Sequence, residues 1–159
     1  MVGVGPRAGL AMTEHLLAAF PGLRTTTFRV TSSADAVYNC IAWAAAVSTE
    51  WCWPLPDPAE SYWPPSVPRV VTLENFRNTF LTIGYSIATD DTLETGFEKV
   101  AIFANSQDRP MHAARQLPTG MWTSKLGQGV DIEHELHALS GEIYGTVVLM
   151  MKRQKGTTA

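Results

Sequence analysis

The stretch "KVAIFANSQDRPMHAARQLPTGMWTSKL", residues 99–126, reads as three short strands joined by two turns. Lys99–Ala104, Met111–Leu117 and Met121–Leu126 are the strands. Asn105-Ser106-Gln107-Asp108 and Pro118-Thr119-Gly120 supply the turn chemistry between them. Connections this short can join only antiparallel neighbours, so the centre of the chain predicts an antiparallel meander. One register question stays open. A two-residue Thr119-Gly120 turn puts Thr123 and Lys125 on the face of His112, whereas a three-residue loop puts Ser124 there.

Working outward, "IYGTVVLMM" at the end of 143–151 predicts a further strand, and "DIEHELHAL" (131–139) a short helix capped by Asp131. Upstream, Thr72 caps "LENFRNTFLTIG", where Leu73, Phe76, Phe80 and Ile83 share one helical face and Gly84 suits the C′ position. Asn39 caps a second helix, Cys40 to about Val47, which is apolar all round and therefore buried. Between the two lies "WCWPLPDPAESYWPPSVPR" (51–69), too rich in proline for helix or central strand. Its tryptophans predict an ordered loop laid over the core or along a groove. "LRTTTFRVT" (23–31) alternates as a strand, and Thr13-Glu14 opens a short helix through Phe20. Helices first and a meander after them give an α+β fold, helices packed on one face of an antiparallel sheet. No repeat or second domain is found: residues 1–159 read as a single domain with flexible ends at 1–12 and 153–159.

The bulk numbers exclude several classes. At 159 residues the chain is long enough for a proper core, and 45% hydrophobic with 17% charged residues is a globular composition. A net charge of −3 gives no footprint for nucleic acid. No apolar run approaches a membrane span, and no signal peptide is read at the start. Two cysteines, Cys40 and Cys52, make no disulfide framework. The expected location is the cytoplasm, with a signal-independent secretion route left open.

The residue that invites chemistry is Cys40. A thiol at a helix start sits by free N–H groups and the positive end of the helix dipole, which favour the thiolate and can hold an oxyanion. Its base would be His112, on a strand and flanked by small residues; the third group comes from the next strand, Ser124 by the three-residue loop, with Asp131 and Glu133 as further candidates. Asn39 with nearby N–H groups would stabilise the oxyanion, and Trp43 and Trp122 would contact substrate. Cys40, Cys52, His112 and His134 lack zinc-type spacing, and "GVGPRAG" opens no strand–helix unit. No metal and no cofactor are therefore expected.

The strings "YNCIAWA", "GFEKVAIFA", "MHAARQLPTGMWTSKLG", "DIEH" and "YGTVV", from about Phe28 to Lys152, resemble a bacterial domain family without an assigned activity. More distantly, "EKVAIFA…MHAARQL…WTSKLG…H" after a cysteine at a helix start resembles NlpC-type papain-like cysteine amidohydrolases. That resemblance implies a papain-like fold with Cys40 as nucleophile, His112 as base and Asn39 in the place of the polar residue before the cysteine. The chain departs from the pattern at Lys99, where the common NlpC-type histidine stands, and at Ile41, where a small polar residue is usual. The expected function is a cysteine hydrolase or acyl transferase acting on an amide or ester of a peptide, peptidoglycan or protein side chain. The alternative is a non-catalytic recognition module whose Trp/Pro loop contacts a protein partner. The first requires the Cys40 sulfur beside a His112 nitrogen in an open cleft. The second requires Cys40 sealed in the core and an exposed aromatic patch.

Overall fold

The computed structural model describes residues 6–156. The expected meander forms the centre of the sheet: β3 (Phe97–Ala104), β4 (Pro110–Gln116), β5 (Trp122–Lys125) and β6 (Asp131–His134) are antiparallel neighbours in chain order. The last strand, β7 (Thr146–Gln154), returns beside β3. Short edge strands β1 (Phe28–Val30) and β2 (Ser86–Ile87) finish the sheet on β6 and β7. The order is β1-β6-β5-β4-β3-β7-β2, seven strands among the described residues.

The helix expected over 131–139 is instead β6 followed by a 3₁₀ turn, Leu136–Leu139. The reason lies in the pattern. Val130, Ile132, His134 and Leu136 alternate with Asp131, Glu133 and Glu135, a period of two that places one set on each face of a strand. β5 would otherwise be left as an exposed edge, and β6 covers it.

Helices cover both faces of the sheet, not one. α2 (Cys40–Ala44) and α3 (Leu73–Leu81) bury Ile41, Phe76 and Phe80 against Val100, Ile102 and Ala113. On the opposite face α1 (Pro6–Ala19) and the 3₁₀ turns Pro21–Arg24 and Leu136–Leu139 bury Leu16, Phe20 and Leu139 against Ala101, Phe103 and Ala114. β3 explains this. Val100 to Ala104 is an unbroken apolar run with every residue buried, the signature of a strand packed on both sides. The architecture is therefore α+β, a central antiparallel sheet between two apolar layers.

Local chemistry ends each helix. The Asn39 side chain accepts from Ala42 N–H, and α2 stops three residues before the expected Val47 because Ala46 turns left-handed, φ +63°. Ala46 N–H and Val47 N–H then bond back to Trp43 and Ala42 carbonyls in a Schellman closure. Thr72 caps α3 as expected, and Gly84 takes φ +95° while Tyr85 N–H returns to the Phe80 carbonyl. The Trp/Pro loop is held to the core: Trp53 and Trp63 rings lie 5.0 and 5.2 Å from the Phe76 ring. Arg69 fastens its two limbs by donating to the Leu55 and Ser61 carbonyls. Of the expected loose ends, residues 1–5 and 157–159 lie outside the described residues, whereas Pro6–Met12 belong to α1 and Arg153 and Gln154 to β7. No helix among the described residues is long and apolar enough to cross a membrane.

Candidate functional site

β4 and β5 are paired only at Arg115–Thr123 and Gln116–Trp122. Leu117 and Met121 close a three-residue loop through Leu117 N–H and the Met121 carbonyl, so Ser124 shares the face of His112. Beyond that short ladder the strands are unpaired, and side chains bridge them. His112 Nε2 lies 2.9 Å from Ser124 Oγ, and Ser124 Oγ lies 2.7 Å from His134 Nε2 on β6. All three residues are 0% exposed. The Tyr144 ring stacks on His112 with centroids 4.0 Å apart, and Phe103 meets its edge. Gly145 makes this stacking possible, since a Cβ there would meet the Ala104 carbonyl oxygen at 1.9 Å.

The protons of this bridge can be placed. His134 Nδ1 is 2.7 Å from the Glu135 carbonyl, which only accepts, so Nδ1 carries the proton. Burial pushes the His134 pKa down to about 4 and drives that of His112 well below its usual value, so both rings are neutral at pH 7. Neutral His134 then has a bare Nε2, which accepts the Ser124 hydroxyl proton. Ser124 in turn accepts from His112 Nε2–H, and the lone pair of His112 Nδ1 is left buried without a partner. The chain runs in one direction: His112 donates to Ser124, Ser124 to His134, His134 to the Glu135 carbonyl.

The expected catalytic pair is not assembled. Cys40 lies in the α2–α3 layer and packs with Ala113, whereas His112, the next residue of β4, faces the opposite layer with Phe103 and Tyr144. Successive residues of a strand point to opposite faces, so the residue before Ala113 cannot reach the Cys40 side. His112 Nδ1 has no hydrogen-bond partner and Nε2 is bonded to Ser124, which leaves no bond to the sulfur. Burial pushes the Cys40 thiol up to about 11, outweighing the Ala113, Ile41 and Cys40 backbone N–H groups and the Lys125 charge that pull it down. Ser124 does meet His112 directly, as the three-residue loop requires, and the bridge runs on to a third residue, His134, whose stretch reads in sequence as a helix. In a Cys52→Ala protein, iodoacetamide will leave Cys40 unmodified near neutral pH until denaturant unfolds the chain, and His112→Ala will not change that. Fast alkylation of the folded protein would mean an open, activated thiol.

The other expected site residues are spent on structure. Both functions of the Asn39 amide are used. Its oxygen accepts from Ala42 and Cys52 N–H, and its nitrogen donates to the Cys52 carbonyl at 2.8 Å, so the group clasps the Trp/Pro loop to α2 and does not face an oxyanion. Trp43 Nε1 donates to Thr123 Oγ1 at 2.9 Å, with the Arg115 guanidinium over its ring. Trp122 is buried in the opposite layer, so the two indoles form no common subsite. Asp131 accepts from Tyr38 OH at 2.7 Å. Lys125, 0% exposed, donates to the Asp35 and Gly127 carbonyls below the Tyr38 ring.

Among several hollows of the described residues, one of about 290 Å³ lies between α2, α3 and the Trp/Pro loop and is the most apolar-walled and enclosed. Ile41, Ala45, Val47, Phe80 and Ile83 give it apolar walls, Cys52 lies at its base, and Tyr62, 46% exposed, stands at its side. Two charged residues reach it. Arg153 is engaged by the Glu98 carboxylate and the Ile83 carbonyl. Glu50 is exposed and has no ion-pair partner among the described residues. The sequence carries a signal for this pocket in the Trp/Pro stretch, but none for the left-handed turn at Ala46, which lies between two of its lining residues, Ala45 and Val47.

Among the described residues no three His, Cys, Asp or Glu side chains are grouped as a metal ion would need. Neither the curated proteins nor the solved structures include a match to this chain. The family model described as "Domain of unknown function (DUF7689)" matches residues 29–152, from within β1 into β7, with α2, α3 and every lining residue of the pocket except Arg153, and the chain belongs to that family.

Proposed function

We propose that the domain is a recognition module that binds an apolar group in the pocket between α2, α3 and the Trp/Pro loop. One observation carries the reading. The side chains suited to catalysis are sealed and divided between two faces of the sheet, while the loop holds open an apolar pocket of about 290 Å³. Ligand sites of soluble domains have this character, apolar walls with a few polar groups at the mouth. In this reading the distant NlpC-type resemblance is one of element order along the chain and not of activity. A cysteine-led helix packs on a strand pair, as in papain-like enzymes, with the cysteine turned to core packing and the histidine to a hydrogen-bond bridge. Lys99, in the place of the common NlpC-type histidine, is 1% exposed and bound by Asp90 and Glu94. A cysteine hydrolase on this scaffold would need Cys40 and His112 on one face.

The test is a methyl and amide NMR titration with indole, a neutral apolar probe with one donor. Shifts will concentrate on Ala42, Ala45, Val47, Phe80 and Ile83, and Ala45→Leu, which narrows the pocket, will weaken binding at least severalfold. Shifts scattered over the surface, or none at millimolar indole, would overturn the reading.

A further inference from the structure

The charge at the pocket mouth narrows what the pocket takes. Of the two charged side chains that line it, Arg153 is already neutralised by Glu98 at 2.5 Å, whereas Glu50 is unpaired. An anion entering here is repelled by an uncompensated carboxylate and finds the guanidinium already paired; a cation is attracted by that same carboxylate. The surroundings also suggest the ligand's form. A second hollow of about 380 Å³ adjoins the pocket and shares Glu50 and Tyr62 with it. Glu60, also without an ion pair among the described residues, lies along this hollow. Arg69 also lines it without an ion pair among the described residues, its guanidinium held to the Leu55 and Ser61 carbonyls, so two carboxylates face one cation there. One compact hollow the size of a large side chain, continued past an exposed tyrosine into a second with acidic residues on its border, suits a chain rather than a compact molecule.

Resting on the pocket reading above, we infer that the ligand is a short basic–apolar peptide segment: a large apolar side chain enters the pocket, and an adjacent Lys or Arg meets Glu50. The backbone crosses Tyr62, and a second basic residue can reach Glu60. Exposed aromatic surface beside unpaired carboxylates is a mode by which basic peptides are held, with the apolar anchor supplying affinity and the charges supplying selection.

The experiment uses acetyl-Gly-Lys-Trp-Lys-Gly-amide, with Ser-Trp-Ser, Glu-Trp-Glu and Lys-Ala-Lys counterparts, titrated by NMR into the whole protein at low salt. Lys-Trp-Lys should bind about fivefold more tightly than Ser-Trp-Ser, the scale of one exposed ion pair, and Glu-Trp-Glu should be weaker than both. Lys-Ala-Lys should lose the pocket shifts. Glu50→Gln, an exposed change that leaves the fold intact by thermal melt, should erase the Lys preference, bringing Lys-Trp-Lys and Ser-Trp-Ser to equal affinity, and added salt should do the same. Equal binding of the three Trp peptides overturns this inference and leaves the pocket reading standing. No binding of any peptide or of indole overturns both. Tryptamine binding as tightly as Lys-Trp-Lys assigns the site to a small amine and overturns the peptide.

Discussion

The Ser124→Ala protein will be less stable than the parent by about 2–5 kcal/mol in urea denaturation, far more than a single hydroxyl at an ordinary site. The size follows from what the hydroxyl joins. Ser124 Oγ accepts from His112 and donates to His134 at 2.9 and 2.7 Å, in a place that water does not reach. Removing it strands one N–H and one bare nitrogen at once, each costing roughly 1–3 kcal/mol when buried. It also unfastens β4 from β5 where their backbone ladder has already ended. The effect is specific to the bridge, so it should couple to its neighbours. Combined with His134→Gln, Ser124→Ala will cost less than the sum of the single changes by about 1 kcal/mol or more. A loss well below about 1 kcal/mol, additive with His134→Gln, would mean the three side chains are adjacent without acting as a unit.

The bridge also shows where the sequence could be read and where it could not. The meander was legible because its turns are short and its strands alternate, and both caps, Asn39 and Thr72, act where local chemistry places them. Local signals failed where a tertiary partner decides. "DIEHELHAL" satisfies a helix cap and a strand alternation equally, and only the open edge of β5 selects the strand. That one choice hid His134, because a histidine on a surface helix has no reason to meet Ser124. The Cys40–His112 pair failed for a different reason. Order along the chain, cysteine on a helix and then histidine on a strand, was right, but a strand offers two faces, and Ala113 rather than His112 is turned to the helix. The helices were expected on one face although "VAIFA" in β3 is apolar at every position, a pattern that asks for cover on both. The Trp/Pro loop was read as ordered, and it is. Beside its pocket, between Ala45 and Val47, Ala46 is left-handed, a conformation an alanine does not announce.

The second large effect is on acid stability. Unfolding free energy will fall steeply as pH drops from about 6.5 toward 4. The sign follows from linkage. The folded pKa of His134 is lowered from 6.5 to about 4 and that of His112 is lowered too, both first by burial. The unfolded chain therefore binds more protons throughout this window, and stability is present in full above 6.5 and lost as pH falls. His134 contributes a slope of about 1.4 kcal/mol per pH unit and so removes about 3 kcal/mol by pH 4. His112, its pKa lowered by burial and by the neighbouring His134, adds to the loss in the same direction. The groups around the pair offer no relief, since Tyr144, Phe103, Ser124 and the Glu135 carbonyl carry no negative charge to receive a proton's worth of charge. Protonation also breaks the direction of the bridge. A charged His134 presents an N–H to Ser124, whose own hydroxyl proton then loses its acceptor. The surface carboxylates act in a separate, lower window. The Asp90 pKa is lowered from 3.8 to about 2 by hydrogen bonds from Thr92 and Lys99, so its contribution is lost only below about pH 4. Denaturation curves at intervals between pH 7 and 4 give the slope directly. In His134→Gln, neutral throughout, that slope will drop by about 1.4 kcal/mol per unit. A parent protein whose stability is flat from pH 6.5 to 4 would mean that its histidines are not held neutral, and the one-way bridge from His112 to Glu135 would have to be abandoned.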